Sequence, residues 1–96
     1  MAVGLTSKCW RDQRSQDKHK GTQADCGDDC NDFCMAVRLD PSVSNGKQYT
    51  WDCGCPTEQS WLKYTCKEES NNQIYVTGNN SYLIDCCKDT GSQWGN

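Results

Sequence analysis

The chain has 96 residues, nine cysteines and a net charge of −3. Leu, Ile, Val and Phe together number only 11, too few for an apolar core to hold a domain of this size unaided, so covalent cross-links must supply the cohesion. The acidic balance speaks against nucleic acid as a partner and against insertion into or adsorption to anionic membranes, and no apolar run approaches the ~20 residues that span a bilayer.

Residues 6–24 are polar, carry one cysteine, Cys9, and show neither helical nor strand periodicity, so they read as a long tethered loop. Lys8, Arg11, Arg14, Lys18 and Lys20 against Asp12 and Asp17 give residues 1–20 a local charge of +3. Residues 25–40 carry −4, and a helix is expected to begin there. Thr22 or Asp25 can cap it, and Asp28 and Asp29 then sit in its first turn, where acids complement the helix dipole. Cys26, Cys30 and Cys34 fall on an i, i+4, i+8 stripe with Phe33 and Val37 beside it, and the helix must end before Pro41.

Asn45-Gly46 signals a turn, and residues 47–55 alternate as a strand. Tyr49, Trp51, Cys53 and Cys55 take one face, Gln48, Thr50 and Asp52 the other, and Pro56 closes the strand. Residues 61–66 form a second β-prone run. Residues 73–77 and 81–86 flank Gly78-Asn79-Asn80 and read as a hairpin. The tail 89–96 is expected to be loose, with Trp94 available to pin it. One domain, 1–96, is expected, with a helix–strand staple at 25–55 and additional strands at 61–87.

Cys30 and Cys34 are four residues apart, the spacing of one helix face, and Cys53 and Cys55 are two apart, the spacing of one strand face. A helix carrying the first pair can be stapled twice to a strand carrying the second. With Cys9, Cys26, Cys66, Cys86 and Cys87, these cysteines are expected to be disulfide-bonded in an oxidising, extracellular setting after secretion. The start at Met1 has no hydrophobic region of signal-peptide length and reads as a mature segment. The single histidine, His19, and the absence of a CxxC pair speak against zinc, so no metal or cofactor is expected. An odd ninth cysteine raises a disulfide-linked homodimer as an expectation. Cys86 and Cys87 are expected to bond different partners, because a bridge between neighbours is strained. With one cysteine left over, about 945 pairings stay open.

The Cys30-Asn31-Asp32-Phe33-Cys34 and Trp51-Asp52-Cys53-Gly54-Cys55 segments resemble the cysteine-stabilised αβ scaffold of defensins and scorpion toxins. With Cys9-Trp10 and Gly21-Thr22 they are also similar to the macin family of invertebrate antimicrobial proteins, from which this chain departs in being acidic. The resemblance implies Cys30–Cys53 and Cys34–Cys55 bridges and a small disulfide-rich α+β fold, one helix stapled to an antiparallel sheet with an extra C-terminal hairpin. At the other end, Tyr82-Leu83-Ile84-Asp85-Cys86-Cys87 looks like the close of a three-finger domain (Ly6-type).

The chemistry expected is binding. No nucleophile–base pair and no paired catalytic carboxylates can be named, so an enzyme is not expected. The acidic run from Asp25 to Asp32 lacks the ligand spacing and closing Glu of a calcium loop and reads as an exposed face. His19 reads as a solvated loop residue. The basic residues Arg11, Arg14 and Lys18, with Trp10, Trp61 and Trp94 as aromatic anchors, are the candidate contact residues. Asn79-Asn80-Ser81 fits a glycosylation acceptor at Asn79. The function expected is that of a secreted, non-enzymatic, disulfide-stabilised binding protein. As a defence or toxin-like, antimicrobial effector it would act on a receptor, a channel or a surface glycan. A pheromone-like extracellular signalling ligand and a small carbohydrate-binding module are the alternatives.

Overall fold

The computed structural model describes residues 8–21, 23–27, 29–30, 32–43, 46–57, 60, 62–88 and 93. Seven strands are present: β1 (Lys8–Trp10), β2 (Asp12–Arg14), β3 (Gln23–Asp25), β4 (Cys34–Leu39), β5 (Tyr49–Cys53), β6 (Ser70–Thr77) and β7 (Asn80–Cys87). Strands β2-β5-β4-β7-β6 form a five-stranded sheet, and β1 and β3 form a separate two-stranded sheet. Every pairing is antiparallel.

The central strand explains the rest. Cys34, Met35, Ala36 and Val37 are consecutive and all buried. A strand buried on both faces must be covered on both sides, so the large sheet is the middle of three layers. Register and alternation assign the faces. Cys34 lies opposite Cys53 on β5 and Cys87 on β7, which puts three cysteines in one row on one face. The β1–β3 sheet covers that row. The other face holds Met35, Val37, Tyr82, Ile84 and Cys86, packed against Leu62 and Cys66 from the β5–β6 connection.

Four disulfides fasten these layers. Cys9–Cys34 and Cys26–Cys53, with Cα separations of 5.5 and 5.8 Å, tie the small sheet to the large one. Cys30–Cys55 ties the β3–β4 connection to the end of β5, and Cys66–Cys86 ties the β5–β6 connection to β7. Cys87 stands outside the four bridges, buried at 7% exposure, and its thiol donates to Cys34 O at 3.4 Å. An interchain bridge through this sulfur would require the cysteine row to open.

The expected α+β fold is therefore corrected to a disulfide-rich all-β fold, with no helix among the described residues. Cys26 and Cys30 lie in irregular chain, where Gly27 takes a φ of 87°, which a right-handed helix forbids, and Cys34 opens β4. The implied pairings fail with the helix. Cys53 bonds Cys26 rather than Cys30, and Cys34 bonds Cys9 rather than Cys55. Cys34 and Cys53 sit opposite one another on adjacent strands, so both point into the overlying layer rather than along a shared helix–strand seam.

The resemblance to the cysteine-stabilised αβ scaffold and the macin family does not survive, nor do the descriptors defensin-like, antimicrobial and toxin. The fold gives no support to secretion as a property of that scaffold. The three-finger resemblance fails too, since Cys86 bonds Cys66 and Cys87 joins none of the four bridges. Two smaller readings also change. The β-prone run 61–66 forms no strand over its described residues, 62–66, and part of the supposed loop 6–24 forms β1, β2 and β3.

Candidate functional site

Strand β2 pairs with β5 so that Asp12 faces Trp51 and Arg14 faces Tyr49. Tyr49 and Trp51, two apart on one strand, share a face and stack at 6.5 Å between ring centroids. The loop after β2 folds back over them. Lys20 N–H donates to Asp12 Oδ2 at 2.6 Å, and the Arg14 guanidinium donates to Lys18 O at 2.9 Å. These two bonds bring His19 inward. Its ring stacks on Trp10 at 4.1 Å and meets Trp51 edge-on at 5.5 Å. The solvated histidine expected at position 19 is thus a half-buried member of an aromatic cluster. Nothing in the periodicity marks it, because the stack joins residues nine and thirty-two positions apart.

The register across the whole large sheet adds a feature that local patterns hide. Arg14 lies opposite Tyr49, Tyr49 opposite Arg38, Arg38 opposite Leu83, and Leu83 opposite Ile74. One residue from each of five strands therefore forms a continuous row on one face. It is cationic and aromatic at the β2 end and aliphatic at the β6 end. Ile74 is 62% exposed and its face-mate Val76 66% exposed. Arg38 donates to Asn72 Oδ1 at 3.0 Å, which holds its guanidinium over the sheet. A depression of about 440 Å³, lined by Arg14, Lys47, Gln48 and Leu39 among others, opens beside the cationic end.

The expected contact residues part company here. Arg14 and Lys18 lie at the open end, with Lys18 exposed. Trp10 is half-buried, with one ring face against His19. Arg11 turns to the opposite face, where its Nε meets Asp52 Oδ1 at 2.7 Å and its Nη2 donates to Thr57 Oγ1 at 2.9 Å. It is a strut between layers rather than a contact residue. Trp61 and Trp94 lie outside the described residues. Asn79 sits in the exposed two-residue turn of the β6–β7 hairpin, accessible to modification. Of the acidic run, Asp29 and Asp32 line a small cavity of about 90 Å³ beside Gly54 and Thr65. Arg38, Leu83 and Ile74 are candidates that the sequence does not mark, because only strand order makes them neighbours.

Compared with known protein families, with curated proteins and with solved structures, the chain matches none.

Proposed function

We propose that this small, compact, disulfide-stabilised domain is a non-enzymatic binding module that engages a protein partner through the end of its five-stranded sheet that lies beyond the cysteine row covered by the β1–β3 sheet. The row Arg14–Tyr49–Arg38–Leu83–Ile74 carries the reading. It joins two guanidinium groups, which favour carboxylates, to an exposed aliphatic patch that water would otherwise solvate. A partner segment presenting acidic residues next to apolar ones complements both halves. Among the described tryptophans a glycan is the poorer fit, because sugar stacking needs open ring faces, and Trp51 is buried while His19 takes one face of Trp10. Four bridges form and persist most readily in an oxidising setting, which supports the reading of an extracellular location.

The test is selection of a random peptide display library on the oxidised chain, followed by affinity measurement on variants. Recovered peptides are expected to be acidic and apolar, and to lose at least about tenfold in affinity against Arg14→Glu/Arg38→Glu and against Ile74→Asp/Val76→Asp. Peptides indifferent to both double variants would place the contact elsewhere and overturn the reading.

A further inference from the structure

The sulfur atoms beneath the β1–β3 sheet are more tightly grouped than cross-linking requires. The Sγ atoms of Cys9, Cys26 and Cys53 all lie within 4.8 Å of one another, and all three residues are buried. Cys34 is bonded to Cys9 and stands directly opposite Cys53 in the sheet register. Two bridges, Cys9–Cys34 and Cys26–Cys53, therefore converge on one small buried volume. They draw on four chain segments: β1, the end of β3, and the adjacent strands β4 and β5. Four sulfurs on a tetrahedral zinc ion, at about 2.3 Å from the metal, lie about 3.8 Å apart. Once reduced, the sulfurs of each bridge, bonded at 1.95 and 2.02 Å, must part by about 1.8 Å to reach that spacing, and Cys9 must close on Cys26 and Cys53 by at most about 1 Å.

We propose that the reduced chain binds one soft divalent cation of the zinc type at Cys9, Cys26, Cys34 and Cys53, so that one sulfur set fastens the two sheets in either redox state. The chemistry balances. Two molecules of a dithiol reductant each give two electrons and two protons, opening the two bridges to four thiols, and are themselves converted to disulfides. Zinc binding then displaces one proton from each thiol. In the reverse direction, two molecules of a disulfide oxidant accept four electrons from the four thiolates and take up four protons. Both bridges re-form, and the cation leaves. A thiolate set selects a soft ion, so magnesium and calcium are excluded. The metal takes over the role of the bridges because a small core of this composition needs a cross-link of some kind.

The experiment uses the full chain, fully reduced by an excess of a phosphine under anaerobic conditions and titrated with Co²⁺. The expected result is saturation at about one equivalent, with the visible absorption of tetrahedral cobalt thiolate, displacement by Zn²⁺, and strand circular dichroism that appears only with metal. Cys26→Ser and Cys53→Ser should each weaken Co²⁺ binding by at least the ~10–100-fold that loss of an outer-shell partner costs. The Cys66→Ser/Cys86→Ser chain should keep both spectrum and stoichiometry, since that bridge lies on the other face of the sheet. Every chain is reduced during the measurement, so loss of a bridge does not confound the comparison. Absence of the tetrahedral spectrum at one equivalent would overturn the proposal, as would equal weakening by Cys66→Ser/Cys86→Ser.

Discussion

Gln93 carries a buried amide into the junction between the layers. Its Oε1 accepts from Trp10 N–H at 2.8 Å, and its Nε2 donates to Met35 O at 2.9 Å and to Trp10 O at 3.2 Å. Its exposure is 0%, so the tail expected to be loose is anchored at this residue. Replacing it by Leu removes the acceptor of a part-buried backbone N–H, and a cost on the order of 1–3 kcal/mol is expected from a urea titration. Arg11 makes a similar argument with charge. Asp52 is buried, and Arg11→Ala strips it of its ion-pair partner, so a loss of roughly 3 kcal/mol is expected, whereas Lys18→Ala should change stability by under about 0.5 kcal/mol.

Asp40 has the opposite character. Its Oδ1 accepts from the Ser42 hydroxyl at 2.7 Å and from the Ser42 N–H at 3.0 Å, and these bonds hold the carboxyl below its ordinary value. A depressed carboxyl contributes stability above its unfolded pKa and loses it as the pH falls through the folded one. The contribution is thus present at neutral pH and fades only on the acid side of 3.8. Carboxyl chemical shifts followed through an acid titration should show Asp40 moving back toward the ordinary value in Ser42→Ala. An unmoved titration would mean that the serine is not the cause.

Among the elements, the exit of β5 is the most tightly built. Gly54 donates its N–H to Phe33 O at 2.8 Å and accepts from Cys66 N–H at 2.7 Å, so the chains on both sides pass close to it. A Cβ placed there would stand 2.5 Å from Phe33 Cβ and 2.7 Å from Phe33 O. Gly54→Ala should therefore cost on the order of 1–3 kcal/mol, seen as a lower thermal midpoint, with the Cys30–Cys55 bridge beside it formed more slowly on refolding. Strand β5 and the β6–β7 hairpin were legible, because each alternates and is bounded by turn residues. Strand β4 was not. Its four consecutive buried residues show no alternation, since both faces are covered, and a cysteine every fourth position just before it imitates a helix stripe. The strands β1, β2 and β3 span three residues each, too short for any period to declare itself. The row of five site residues is a property of strand order, which no local pattern encodes.

At the scale of the molecule, the bridges divide by what they hold rather than by the loops they close. Their sequence separations are 25, 27, 25 and 20 residues, so loop-closure entropy assigns each about 3–4 kcal/mol and does not rank them. Redundancy does. Cys9–Cys34 and Cys26–Cys53 fasten the same pair of layers, so either can be removed while the other keeps the small sheet in place. Cys66–Cys86 has no such companion on the opposite face, where it holds the irregular connection bearing Leu62 against Met35, Val37 and Ile84. Replacing Cys9 and Cys34 by serine should leave amide protection in β4 and β7 largely intact and lower it mainly in β1 and β3. Replacing Cys66 and Cys86 should expose the Met35–Ile84 cluster, lower protection through β4 and β7, and increase binding of a hydrophobic dye. Since a domain of this size has a net stability of about 5–15 kcal/mol, loss of both layer bridges together approaches the whole. Hydrogen exchange on these two variants separates the two views. Equal, global loss of protection in both would mean that the bridges act only on the unfolded chain, whereas the graded pattern follows from the layers they join.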